Sequence, residues 1–225
     1  METIVFAGAK GGIGRTTLAV HLAVEYALRG AKVELIDTDS LRCATYWAER
    51  TTYPITCNTT APDRIGPALR RAERDGSELV IVDTSLGLRG RELMALLAHA
   101  TLVVVPVPPS GYDYIALSAE LANIRAANIP VVAVISRARW NDKRVAPMRR
   151  ALENGGIRVL DTVVHDRAHY TVLSGEGKLA RDVATNCKAA LEVRALHREI
   201  DQLLIAMPAS AKSCTARATK RRQEA

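Results

Sequence analysis

Residues 7–17 read AGAKGGIGRTT. The common phosphate-loop pattern, G-x-x-x-x-G-K-[ST], would put glycine at position 9 and lysine at position 15. This chain has Ala9 and Arg15 there, and an additional lysine, Lys10, ahead of the glycines. The surroundings fit such a loop. TIVFA (3–7) reads as a strand, GAKGGIG (8–14) as a turn, and RTTLAVHLAVEYALRG (15–30) as a helix with its closing glycine. Successive glycines let backbone N–H groups converge on an anion, and the helix N-terminus adds partial positive charge. Thr16 stands where a hydroxyl would reach Mg²⁺, with Thr17 next along the helix.

Outward from the loop, apolar runs alternate with amphipathic stretches. Strands are expected at Thr3–Ala7, Val33–Ile36, Leu79–Val82, Leu102–Val105, Val131–Ile135 and Val159–Val163. Helices are expected at Thr16–Arg29, Leu41–Arg50, Pro62–Arg74, Arg91–Ala98, Tyr112–Ala127 and Arg144–Glu153. This alternation predicts an α/β fold, a mainly parallel sheet covered by helices on both faces. Hydrophobic residues make up 48% of the 225 and aromatics only 4%, so the core should be aliphatic. A last helix from about Thr185 to Met207 carries Leu191, Leu196, Ile200, Leu203 and Met207 at near-helical spacing, predicting that they pack on the core. One domain is expected over 1–207, followed by a flexible basic tail over 208–225.

Two further segments place carboxylates beside the loop. VELIDTDS (33–40) ends a strand with Asp37 and Asp39, and ELVIVDTS (78–85) ends another with Asp83. Ligands in open parallel sheets bind at the C-terminal ends of the strands. Asp83 is well placed to hold Mg²⁺ through water. A lone strand-end aspartate is often a helix cap; three of them after a phosphate loop are harder to explain that way.

KGGIGRTT, with lysine directly before the glycine pair, resembles the deviant Walker A motif of ParA/MinD-type ATPases, K-G-G-x-G-K-[ST]-[ST]. The D-x-D pair, the Asp83 strand and PVPPSGYD (106–113) match as well, and the likeness covers about residues 2–205. It is nearest to small plasmid-partition ParA proteins without an N-terminal helix-turn-helix domain, for which no room is expected ahead of the loop. The resemblance implies a P-loop fold, ATP and Mg²⁺ as cofactors, and an ATP-bound sandwich homodimer on non-specific DNA. It also implies a small centromere-binding partner, ParB- or ParG-like, that stimulates hydrolysis. Lys10 matches the signature lysine that reaches the partner subunit's nucleotide. Gly11, Gly12, Ile13 and Gly14 match the backbone cradle, Thr16 the Mg²⁺ ligand and Thr17 an α-phosphate contact. Asp39 matches the carboxylate supporting attack by water, and Asp37 and Asp83 those near the metal. Pro109 and Asp113 fall in the stretch shaping the nucleotide side of the dimer. Ser136 and Arg137 lie where the family often contacts the base.

Arg15 departs from this pattern, because the family carries its catalytic lysine there. Arginine keeps the charge but is longer, planar and more weakly hydrated. Nucleotide binding is expected to survive and hydrolysis to be slow, or the chain to act as a binding-only switch. Ser40 and Leu41 replace the family's Pro-Gln after the D-x-D pair, which bears on the fine placement of Asp39. The function that the resemblance implies is partition of plasmid or chromosomal DNA; the alternative is a related positioning ATPase acting on protein cargo or on conjugative DNA transfer.

Charge and composition narrow the classes. The formal net charge is +7, of which the tail contributes +4 through Lys212, Arg217, Lys220, Arg221 and Arg222 against Glu224. Such an excess suits a polyanionic partner. Arg139, Lys143, Arg144, Arg149, Arg150, Arg167, Lys178 and Arg181 are candidate DNA-phosphate contacts. Residues 208–225 contain no Leu, Ile, Val, Phe or Trp, which argues against a membrane-seeking terminal helix. No apolar run approaches the ~20 residues of a membrane span and no signal peptide is recognised, so a cytoplasmic, nucleoid-associated protein is expected. Cys43, Cys57, Cys187 and Cys214 are scattered, which argues against zinc, a redox pair or an iron–sulfur cluster. No second-substrate motif of a ligase is present. His21 is expected to pack or lie at the surface, and His165 and His169 to flank Asp166 and Arg167 in the loop after the last strand.

Overall fold

The computed structural model describes residues 1–8, 10–85, 88, 90–112, 114, 115, 117, 118, 124, 128–171 and 174–208, with Arg91 described by its backbone alone. Seven strands are all parallel: β1 (Glu2–Phe6), β2 (Val33–Asp37), β3 (Thr56–Thr59), β4 (Leu79–Asp83), β5 (Leu102–Val107), β6 (Val131–Ala138) and β7 (Arg158–His165). Their order across the sheet is β3-β2-β4-β1-β5-β6-β7. The α/β fold expected from the alternating pattern is therefore the one observed. The sequence expectation held six strands, and β3 is the addition. Its four residues, TCNT, are exposed or half-buried at the sheet margin. A polar edge strand carries no apolar run to mark it.

The central strands are buried on both faces, as continuous β-branched runs require. Ile4, Phe6, Leu35 and Val104 point to one face, covered by α1 (Arg15–Ala27), α2 (Cys43–Ala48) and the long C-terminal helix. Val5, Ile36, Val82 and Val105 point to the other, covered by α3 (Ile65–Arg74), α4 (Gly90–Leu97) and α5 (Val145–Asn154). After β7 the chain passes through a short helix, α6 (Ala180–Val183), into α7 (Lys188–Ala206). Leu196, Ile200 and Leu203 pack inward as expected, and Met207 is partly buried against them. Leu191 does not; it is 47% exposed. Five residues before Leu196 at ~100° each leaves it on the opposite side of the helix. The helix expected over Tyr112–Ala127 lies mostly outside the described residues, as do residues 209–225 of the tail. No helix among the described residues is long and apolar enough to cross a membrane.

Register places the chemistry. In the β2–β4 pairing Asp37 stands opposite Asp83, and in the β1–β4 pairing Phe6 does. Asp83 therefore sits at the C-terminal end of the strand next to β1, where the glycine loop begins, and Asp37 at the end of the strand beyond it.

Candidate functional site

The loop from Gly8 to Gly14 connects β1 to α1. Gly14 caps α1 with φ 96°, and no side chain caps the helix. Its first-turn N–H groups have no capping side chain, which is the arrangement that receives an anion. Gly12 also has positive φ, 71°. Gly8 is closely packed: a Cβ there would lie 2.3 Å from Cδ1 of the buried Ile13, so that side chain would have to shift. Lys10 is exposed on the outer turn.

Arg15, the unusual residue, is only 7% exposed. Its Nη1 donates to the carbonyls of Gly8 (2.9 Å) and Ser85 (2.9 Å) and to the hydroxyl of Thr84 (3.3 Å). Thr84 in turn donates to the Phe6 carbonyl at 2.8 Å. The guanidinium thus ties the start of the loop to the segment after β4. Thr84 and Ser85 were not singled out in the sequence, and their distance along the chain from Arg15 hides the contact.

The three aspartates differ in how they are held. Asp37 is fully buried and saturated: Oδ1 accepts from the Asp39 amide (3.0 Å), and Oδ2 from the amide (2.9 Å) and hydroxyl (3.1 Å) of Thr45 in the first turn of α2. It caps that helix from a neighbouring strand. Asp39 is half-buried, and its Oδ1 accepts from the Leu41 amide at 2.9 Å. Asp83 is fully buried, and neither carboxylate oxygen accepts a hydrogen bond of ordinary geometry. Burial raises its pKa to about 7; the nearby Thr16 hydroxyl opposes that, and the Asp37 charge reinforces it.

An unpaired buried carboxylate is costly, so a group that satisfies it is implied. Among the described residues no cluster of three or more His, Cys, Asp or Glu side chains suits a metal ion. A cation here would draw most of its oxygens from water and from a bound phosphate, which is how Mg²⁺ is usually held. The uncapped helix end behind a glycine loop and the orphaned Asp83 beside Thr16 together fit a phosphate ligand carrying Mg²⁺.

On the far side of the loop, Ser136 and Arg137 at the end of β6 meet its backbone. Ser136 Oγ donates to the Ile13 carbonyl (2.8 Å), and Arg137 Nη1 to the Gly12 carbonyl (2.6 Å). These residues, with Gly14, Thr17 and Asp166, line a cavity of about 200 Å³. Its outer wall is fixed by Glu192 of α7. That carboxylate accepts from Arg167 Nε (2.9 Å) and Nη2 (2.6 Å), pairs with His165 Nδ1 (2.7 Å) and accepts from the Tyr170 hydroxyl (3.1 Å). His165 thus closes β7 rather than lying in the following loop. Nothing in the sequence around Glu192 marks this role. His21, buried in α1, bonds the Thr17 carbonyl through Nδ1 (2.7 Å) and accepts from the Ala180 amide through Nε2 (3.3 Å). Burial lowers its pKa to about 4, so the ring is neutral. Pro109 is buried just past β5. Asp113 lies outside the described residues.

Of the eight basic side chains considered for DNA, five are engaged. Arg144 pairs with Asp142 (2.7 Å), Arg167 with Glu192, Lys178 with Glu176 (2.9 Å) and Arg181 with Glu25 (2.9 Å), and Arg149 donates to the Leu160 carbonyl (2.8 Å). Arg139, Lys143 and Arg150 are exposed without a side-chain partner among the described residues. Beside the first two, Trp140 is 66% exposed.

Comparison with known proteins agrees with this geometry. Residues 4–180 match the CobQ/CobB/MinD/ParA nucleotide binding domain. The chain is 28% identical over 185 residues to Protein ParA of Rhizobium radiobacter, covering 77% of this chain and 82% of that one. It is 28% identical over 209 residues to the maintenance of carboxysome distribution protein A of Gloeobacter kilaueensis, covering 85% and 93%. Its fold superposes on the septum site-determining protein MinD complexed with Mg-ADP from Pyrococcus horikoshii with a TM-score of 0.73 at 17% identity, over 90% of this chain and 96% of that one.

Proposed function

The chain belongs to the CobQ/CobB/MinD/ParA nucleotide binding domain family, and on that premise we propose that it is a ParA-type ATPase that partitions plasmid or chromosomal DNA. It acts in the cytoplasm on the nucleoid, with residues 1–207 as the ATPase domain and 208–225 as a basic tail. ATP promotes a sandwich homodimer on non-specific DNA, and a small centromere-binding protein stimulates hydrolysis. The observation that carries the reading is Asp83, buried without a partner next to an uncapped, glycine-fronted helix end.

The residues divide the work by chemistry. Amides of Gly11, Gly12, Ile13 and Gly14 receive the phosphates, and Thr17 supports the α-phosphate. Thr16 and Asp83, with Asp37 behind them, would hold Mg²⁺. When bound, Mg²⁺ offsets phosphate charge and orients the β- and γ-phosphates. Asp39, half-buried at the rim, orients the attacking water. Lys10, exposed on the outer turn, reaches the nucleotide of a second copy, with Pro109 and Asp113 shaping that side of the dimer. Arg15 makes hydrolysis slow: while its Nη1 holds Gly8, Thr84 and Ser85, only Nε and Nη2 remain to meet a phosphate.

DNA contact is assigned to the loop carrying Arg139, Trp140 and Lys143, to Arg150 and to the tail. Phosphate contacts of this kind give sequence-independent, salt-sensitive affinity. Positioning of protein cargo is the second reading, favoured by the similarity to the carboxysome distribution protein. The test is binding to a random-sequence duplex with ATP, with ADP and without nucleotide, at two salt concentrations. Tighter, salt-sensitive binding with ATP alone is expected. Equal binding in all three states would assign the contact to the tail, and no binding would favour protein cargo.

A further inference from the structure

Two consecutive carbonyls of the phosphate loop are held by two consecutive side chains of β6. Ser136 takes the Ile13 carbonyl and Arg137 the Gly12 carbonyl. Ser136 is 1% exposed, so its bond is sealed from water. Arg137 is about half exposed, and its Nη2 lies 3.7 Å from Asp166 Oδ2, so the guanidinium is braced from the far side. Arg137 also adopts φ 50°, a left-handed conformation unfavourable for a residue with a Cβ. Its contacts hold it there against that preference.

In a trans peptide the C=O and the following N–H point in opposite directions. Drawing the carbonyls of Gly12 and Ile13 toward β6 therefore turns the N–H groups of Ile13 and Gly14 away from it. Those are two of the amides assigned to the phosphates. We propose that Ser136 and Arg137 are positioning residues for the phosphate cradle, acting through the loop backbone rather than on the nucleotide base. Asp166 serves the same end by keeping the guanidinium on the Gly12 carbonyl. This assignment rests on the loop being a nucleotide site.

A base contact and a backbone brace separate when the ligand has no base. The experiment measures the affinity of Mg²⁺-ATP and of Mg²⁺-tripolyphosphate for the wild-type chain, Ser136→Ala, Arg137→Ala and Arg137→Lys. Each alanine variant should weaken both ligands by the same factor, about five- to tenfold. Arg137→Lys should restore most of the loss for both, since an ammonium can donate to the Gly12 carbonyl. Weakened ATP with unchanged tripolyphosphate would overturn the proposal in favour of a base contact. Unchanged affinity for both would overturn it outright. Wild-type protein that binds neither ligand would remove the nucleotide reading and this proposal with it. Should Ser136→Ala fail to fold, the exposed Arg137 carries the test alone.

Discussion

The two sides of the phosphate loop are built on opposite principles. On the β2/β4 side, Asp37 and Asp83 face each other in register, yet only Asp37 has its hydrogen bonds made. On the β6/β7 side, Ser136, Arg137, His165 and Arg167 all have partners within the chain. The second side is complete as it stands and serves as a scaffold for the loop. The first holds a buried carboxylate whose ionised form the folded chain alone does not satisfy. Such a residue is retained at a stability cost, and a cation arriving with a phosphate would relieve it.

The largest expected break between the sides comes from Asp83→Asn. ATP turnover should fall at least a hundredfold, about 3 kcal/mol of transition-state stabilisation. Unliganded protein should nevertheless melt at or above the wild-type temperature at pH 8, because the uncompensated charge is gone. Turnover within a few-fold of wild type would mean that the two sides do not differ in kind.

The pH dependence of stability sharpens the same contrast. The Asp83 pKa is raised, so its contribution is present below about pH 4 and lost as pH rises to about 7. The His21 pKa is lowered, so its contribution is present above about pH 6.5 and lost as pH falls to about 4. The shifts correspond to about 4 and about 3 kcal/mol and oppose each other in the wild type. Denaturant titrations should show Asp83→Asn gaining on wild type by up to that first amount between pH 4 and 7. The wild-type advantage over His21→Gln should shrink by up to the second between pH 6.5 and 4. A constant difference in either series would contradict the corresponding buried environment.

Arg15→Lys probes the join between the loop and the end of β4. Turnover should rise tenfold or more, while the melting temperature falls by about 2–4 °C for ~1 kcal/mol of lost bonds to Gly8, Thr84 and Ser85. Faster turnover with unchanged stability would mean that the ties observed do not restrain the loop. The smallest effect is expected from Asp37→Asn, about 1 kcal/mol through a weaker cap on α2. Its sign in unliganded protein should be opposite to that of Asp83→Asn, which a pair of thermal melts at pH 8 would check.

The elements that frame the candidate site are legible where local pattern carries the signal. The glycine run, the apolar central strands and the aspartates at strand ends each follow from a rule spanning a few residues. What stayed hidden is tertiary. β3 has no apolar run because it lies at the sheet margin. Leu191 shares a helix with inward-facing residues but sits on the wrong side of it. Arg15 meets Thr84 and Ser85 across about seventy positions of sequence. Ser136 and Arg137 were placed by their strand end, but nothing local says that they bond loop carbonyls. The Asp37 and Asp83 carboxylates look alike in sequence, and the Asp39 amide and Thr45, supplied by α2, separate them.

ATP affinity at pH 8, with Mg²⁺ and with the cation chelated, tests most directly whether Asp83 awaits a nucleotide-borne cation. Wild-type protein should bind at least tenfold more tightly with Mg²⁺, and Asp83→Asn should lose that difference while still binding ATP. Wild-type affinity that ignores Mg²⁺, or a Mg²⁺ dependence that survives Asp83→Asn, would contradict it.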